Sequence, residues 1–232
     1  LQFLNTHDKP TAKLFTTTNA TSAASALCAR MAAKIMTAYP QLSPETIRAL
    51  IVHSAIWTEN MRQKYLPANK TPTKNDYVNL IRHCGWGVPD IEVAKWSVSN
   101  SLTLIVEDII HPYKKEKGKV KTRDMNLHSL PWPKEELEAL GETLVQMRVT
   151  LSYFIEPNPS SRGTTSKFHY PSCRLRFDVR RPLERTEDFL ARVNAAAIIE
   201  EDEQQVNPKD PNWKLGEQNR HKGSLHQDIW EG

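Results

Sequence analysis

Three observations lead the 232-residue sequence to predict a mixed α and β chain. A β-branched run, Thr16-Thr17-Thr18, breaks at Asn19 into an alanine-dominated stretch that continues to Ala38. Thr favours extended chain and Ala is the best helix former, so a strand-to-helix boundary falls there. Composition shifts near Ser99, where helical apolar spacing gives way to alternation. Thr143 to Ile155 then alternates with one strongly apolar face, as a strand does. Residues 1–100 therefore read as a helical part fed by one strand. Residues 101–232 read as an antiparallel, sandwich-like β unit with one long helix over 186–203.

The elements follow in order. Phe3 and Leu4 precede a polar turn around His7, Asp8 and Pro10, and Leu14 to Thr18 reads as a short strand. In the helix after it, Leu27, Met31 and Ile35 repeat at i, i+4 and i+8 beside Cys28, Ala32 and Met36. So broad an apolar stripe on so small a set of side chains predicts a central, buried helix. Ser43 caps the next helix, and Pro44 takes its first position, where a missing N–H costs nothing. Ile47, Leu50, Ile51, Ser54 and Ala55 line one face of that helix, with His53 off the stripe as a solvated histidine. Trp57 to Thr73 reads as irregular, Tyr77 to His83 as a short helix ended by Gly85, and Asp90 as the cap of another helix to Trp96.

Beyond Ser99, Ser101 to Ile110 reads as a strand and Lys114 to Arg123 as a solvated basic hairpin tip, preferred over a phosphate-binding patch because no aromatics interleave. Asp124 to Leu130 reads as the returning strand, and Lys134 to Leu140 as two helical turns closed by Gly141. Glu156-Pro157-Asn158-Pro159 ends the strand at Thr143 to Ile155, and Cys173 to Val179 alternates with Leu175, Phe177 and Val179 on one face. The stretch from Trp213 to Trp230 reads as loop-rich.

Composition excludes several classes. With 39% hydrophobic and 25% charged residues the chain is ordinary for a globular protein. A net charge of +4 implies no general nucleic-acid binding. Cys28, Cys84 and Cys173 are far apart and outside metal-ligand spacing, which favours reduced thiols in a cytoplasmic protein over disulfides or zinc. No apolar run approaches a membrane span, so no membrane is expected; no metal or other cofactor is expected either. The chain opens at Leu1 without a methionine and stops after Trp230-Glu231-Gly232, and reads as an internal piece of something longer.

The chemistry centres on Ser22. A helix start offers unpaired N–H groups and a positive dipole end, so a serine in the first turn lies beside amides suited to an oxyanion. Ser and Thr also stand at helix starts simply to cap them, and the position alone does not choose between these roles. Ala20-Thr21-Ser22-Ala23-Ala24-Ser25-Ala26 resembles the nucleophile motif of subtilisin-like serine peptidases, with Ser22 on the nucleophile. Tyr39 to Ala55 is similar to that family's next helix, which usually ends in Ser-Ala or Thr-Ala. Gly85-Trp86-Gly87-Val88-Pro89-Asp90 resembles the turn that follows it. Ala20 stands where the family has Gly, and Ala26 where it has Pro. His7 precedes Ser22 but lacks the family's His-Gly-Thr setting, and reads as a surface histidine.

In the second half, Leu130-Pro131-Trp132-Pro133, Arg148 to Pro159 and Gly223-Ser224-Leu225-His226 resemble the β-rich C-terminal region of a bacterial branch of cytoplasmic subtilisin-like peptidases. The resemblance implies the C-terminal helices of a subtilisin-like α/β domain followed by that β-rich domain. It implies an acyl-enzyme on Ser22, the Ser22 backbone N–H at the oxyanion, and Asn19 and Thr21 at the substrate. In the family the aspartate, histidine and oxyanion asparagine precede the serine, so they are expected upstream of Leu1 and the fragment alone is expected to be inactive. The expected partner is a protein or peptide substrate. Two other readings stay open: a protein-interaction module working through the β-rich half, and a degenerate peptidase, motivated by Ala20 and Ala26.

Overall fold

The computed structural model describes residues 3–99, 102–122, 125–130, 133–155, 173–181, 184–199 and 210–232. Among them lie eight helices and three two-stranded antiparallel sheets, a mixed α and β fold. Packing divides the chain into two compact units, Leu1–Ala55 with Pro89–Ile105 and Ile56–Val88 with Val106–Gly232.

In the first unit the threonine run forms β2 (Phe15–Thr18), whose backbone groups need a ladder partner. They find it in β1 (Phe3–Thr6), with Phe3 opposite Thr18 and Thr6 opposite Phe15. The alanine stretch forms α1 (Thr21–Ala38). Ser43 Oγ accepts from the Thr46 amide at 3.3 Å to start α2 (Pro44–His53). Asp90 Oδ1 accepts from the amides of Glu92 and Val93 at 2.8 and 3.1 Å to start α5 (Ile91–Ser99). Ile35 of α1, Ile47, Leu50 and Ile51 of α2 and Ala94 of α5 make the core of this unit.

The expectation that α1 is buried fails. Ile35 is its one buried residue, while Leu27 and Met36 are 37% and 51% exposed. Alanine side chains are too short to be covered unless a backbone comes close. Here α2 and α5 cover only the stripe through Met31, Ala32 and Ile35.

In the second unit, Thr58 Oγ1 accepts from Met61 N at 3.4 Å and starts α3 (Glu59–Tyr65), inside a stretch the sequence left irregular. The helix forms because Met61 and Tyr65 pack against a core of Trp57, Leu80 and Ile229. A reciprocal capping box opens α4 (Lys74–Cys84), with Thr73 N donating to Asp76 Oδ2 at 2.8 Å and Asp76 N to Thr73 Oγ1 at 3.3 Å. Gly85, at φ 56°, closes α4.

The basic run folds into a hairpin, β3 (Tyr113–Glu116) with β4 (Lys119–Thr122). After α6 (Lys134–Ala139), β5 (Gln146–Ser152) pairs in full register with β6 (Leu225–Glu231), from Gln146 opposite Glu231 to Ser152 opposite Leu225. The remaining helices are α7 (Thr186–Ile199) and α8 (Glu217–Arg220).

Several expected strands are absent. Residues 102–112, 125–130 and 173–181 carry no strand, so no two-layer sandwich stands among the described residues. Alternation yields a strand only where a neighbour completes the hydrogen bonds, and these segments have no ladder partner among the described residues. The strand that does pair with β5, β6, lies in the stretch read as loop. Glu156 to Pro159, Pro131, Trp132 and residues 200–203 of the expected long helix fall outside the described residues.

Candidate functional site

The first turn of α1 is set by what it lacks. Its N-cap is Ala20 at φ −70° and ψ 151°, with no side-chain cap. Ala23 N and Ala24 N bond back to the Ala20 carbonyl at 3.1 and 3.4 Å. The amides of Thr21 and Ser22 have no acceptor among the described residues. Ser, Thr, Asp or Asn would ordinarily satisfy such donors. Ser22, second residue of the helix, is exposed, and its hydroxyl has no hydrogen-bond partner among the described residues. Thr21 and Asn19 are exposed beside it, and Ser25 Oγ donates to the Thr21 carbonyl at 3.1 Å. Two unclaimed amides with the dipole behind them and a free hydroxyl alongside can hold a developing oxyanion.

No base accompanies the hydroxyl. His7 Nδ1 lies 2.9 Å from Asp8 Oδ1 and accepts from Lys9 N at 3.0 Å, so the imidazole is engaged within its own turn. His53 ends α2. The described residues thus bring together Asn19, Thr21 and Ser22 but no histidine–carboxylate pair with them.

The two motifs downstream interlock locally. Ser54 Oγ donates to the Ile51 carbonyl at 2.9 Å and accepts from the Asp90 amide at 3.2 Å. In the other unit Ile56 and Val88 exchange backbone bonds of 3.0 and 2.8 Å. Trp57 Nε1 donates to the Gly85 carbonyl at 2.9 Å, and its ring stacks on Trp86. Gly87 is at φ 103°, and a Cβ there would collide with the Ile56 carbonyl, so only glycine fits.

A second cluster, which the sequence marked only through His226, surrounds β6. Asp228 is fully buried and accepts from the amides of Leu215, Gly216 and Ile229, each at 2.9 Å. Arg220 Nη1 lies 3.6 Å from it, and the guanidinium is held between the rings of Phe177 and Trp213 at 4.7 and 4.8 Å. Burial pushes the Asp228 carboxyl up, against the downward pull of those amides and of Arg220. Arg220 Nε donates to His221 Nε2 at 3.2 Å, which leaves the His221 proton on Nδ1. His226 Nε2 donates to the Gly223 carbonyl at 2.9 Å, and the two imidazoles meet edge to face at 5.3 Å. Nδ1 of each has no hydrogen-bond partner among the described residues. Burial first, and then Arg220, pushes His221 down to about 3; burial lowers His226 as well.

Beside this cluster, a cleft of about 60 Å³ is lined by Lys74, Asp178, Arg192 and Arg220. Its charges are already held: Arg192 pairs with Asp178 and Glu184 at 2.8 Å each. The helix-type signal at α1 was legible in the sequence. The β6 cluster was not, because a partnered buried charge looks in sequence like a solvated one.

Among the described residues no three His, Cys, Asp or Glu side chains gather as metal ligands, no helix is long and apolar enough to cross a membrane, and the three cysteines are free thiols. No curated protein and no solved structure matches the chain. The first three motifs, in their order and with Ser22 at a bare helix start, agree with a family-model match: residues 1–87 match the model of the subtilase family.

Proposed function

We propose that residues 1–87 are the nucleophile-bearing part of a subtilase catalytic domain, and that the protein is a serine endopeptidase acting through an acyl-enzyme on Ser22. The observation that carries this is the coincidence of the family match over 1–87 with Ser22 at an uncapped helix start. Ser22 Oγ attacks the scissile carbonyl, and the Ser22 amide donates to the resulting oxyanion. Asn19 and Thr21, exposed beside it, contact the substrate chain. A serine hydroxyl is a weak nucleophile until a base takes its proton. The residues ahead of Ser22 carry none of the family's histidine, aspartate or asparagine motifs, so these partners belong before Leu1 and the fragment alone is inactive. The β-rich second half belongs, on this reading, to the bacterial cytoplasmic branch it resembles, and three free thiols support that compartment.

A fluorophosphonate probe on the full-length protein tests the proposal. Ser22 is labelled, and Ser22→Ala loses both the label and turnover, the latter by on the order of 10⁶. Undiminished proteolysis in Ser22→Ala ends the proposal. A full-length protein that neither labels nor cleaves is instead the degenerate peptidase that Ala20 and Ala26 motivate.

A further inference from the structure

The two flanks of the β3–β4 hairpin, all within the second unit, hold apolar side chains that the fold leaves in water. Before β3, Val106, Ile109 and Ile110 are exposed, Ile109 at 82%. After β4, Met125, Leu127 and Leu130 are exposed, Leu127 at 55%. Asn126 Nδ2 donates to Asp108 Oδ2 at 2.7 Å, so the flanks still lie side by side beyond the ladder. Together they make a stem that carries no strand of its own. A two-stranded ribbon is marginal in water without a surface to pack on. Single exposed apolar residues need no explanation, but a set gathered on one stem marks an interaction site. Charge is polarised along the same stem. At its tip Lys114, Lys115 and Lys117 are exposed around one carboxylate, Glu116. The sequence from Lys114 to Arg123 carries six basic residues in all. At its base Glu107 and Asp108 stand in the first flank, and α6 begins four residues after Leu130, no more than about 14 Å along the chain. Glu135 and Glu136 are exposed in the first turn of α6, and Glu142 is exposed after it.

From this we infer that the stem is an interface for a second copy of this chain, packed antiparallel about a two-fold axis across the stem. A two-fold contact uses one patch on both copies, so the patch must complement itself. This one does when the stems run opposite ways. The basic tip of each copy then meets the acidic base of the other, while the residues around Ile109 and Leu127 cover one another. Parallel stems would set tip on tip, and like charges across an interface repel. Nucleic acid would neutralise the basic run, Arg123 included, but it would leave Ile109 and Leu127 in water and be repelled by Glu135 and Glu136. The inference stands apart from the peptidase reading, because self-association requires no catalysis.

Sedimentation equilibrium of the full chain over a concentration series tests it. The chain reaches a dimer and goes no further, because a two-fold contact closes on itself. Ile109→Glu and Leu127→Glu, both at exposed positions, each put a charge into the apolar contact and weaken the dimer at least about tenfold. Lys114→Glu with Lys115→Glu weakens it too, as does Glu135→Lys with Glu136→Lys. Combining both pairs in one chain restores the dimer, and mixing the two charge variants gives a heterodimer. Misfolding cannot produce such a recovery, so the charge pairs keep the test sound if an apolar variant fails to fold. A chain that stays monomeric at every concentration, a dimer undiminished by Ile109→Glu and Leu127→Glu, or no recovery on combining the charge pairs would each overturn the inference.

Discussion

Helix α1 and strand β6 invert what their compositions suggest. The helix is built of Ala, Leu, Met and Ile and lies mostly exposed, whereas the strand carries His226, Gln227 and Asp228 at 0%, 1% and 0% exposure. Residue type sets the cost of burial, but a neighbour decides whether burial happens. Along α1 only the Ile35 stripe has neighbours. Along β6 each polar residue has been given one: Asp228 three amides and Arg220, Gln227 the Thr150 hydroxyl at 2.7 Å, and His226 the Gly223 carbonyl. A buried polar group is tolerated when its principal hydrogen bonds are made, although His226 Nδ1 and Gln227 Nε2 find no partner among the described residues.

The largest break in this comparison is at Asp228. Asp228→Ala leaves the buried Arg220 only the more distant Asp178, 3.8 Å away, and orphans three amides, at a cost on the order of 3 kcal/mol. Urea unfolding followed by tryptophan fluorescence should show it, since Trp213, one of the chain's six tryptophans, lies against Arg220. Leu27→Ser on exposed α1 should change stability by only a few tenths of a kcal/mol. If the two variants unfold at the same urea concentration, the cluster is not what holds β6.

Those two positions also show what the sequence disclosed. Two helix starts were legible because caps are local: Ser43 and Asp90 stand within three residues of the amides they satisfy, whereas α4 starts at Lys74, three residues before the expected Tyr77, on a Thr73–Asp76 capping box missing from that expectation. The Ser22 motif was legible for the same reason, being one strand end and one helix start. Strand pairing is not local. Cys173 to Val179 alternates cleanly and has no ladder partner among the described residues. Leu225 to Glu231, weakly patterned, is the strand that pairs, because β5 and the amides of Leu215 and Gly216 are supplied from afar in sequence.

Acid should expose the same contrast more gently. The folded pKa values of His221 and His226 lie below the ordinary 6.5, so the unfolded chain binds more protons as pH falls. Their stabilisation is complete above pH 6.5 and is lost as pH falls toward about 3. For His221 alone the loss is roughly 2 kcal/mol by pH 5. The interval from pH 7 to 5 isolates the imidazoles from Glu184 and Glu231, whose carboxyls are held below their usual range and titrate lower still. Asp228, buried beside them, is pushed upward and opposes the trend, so the comparison is between slopes. His221→Gln should flatten the dependence of urea midpoint on pH. An identical slope in both proteins rules out His221 as its source.

The smallest effect concerns the helix start itself. Ala20 leaves the Thr21 and Ser22 amides without acceptors, where a serine side chain would supply one. If that bareness is incidental, Ala20→Ser is simply a better cap and stabilises α1 by about 1 kcal/mol with no other consequence. If the amides serve an oxyanion, the same hydroxyl competes for them, and turnover of the full-length protein falls while the helix gains stability. Measuring both quantities on one variant separates the readings, because a cap added for stability alone has no reason to slow acyl transfer. A stabilised Ala20→Ser protein with unchanged kcat would remove the bare helix start from the mechanism and leave the Ser22 hydroxyl to be judged by Ser22→Ala alone.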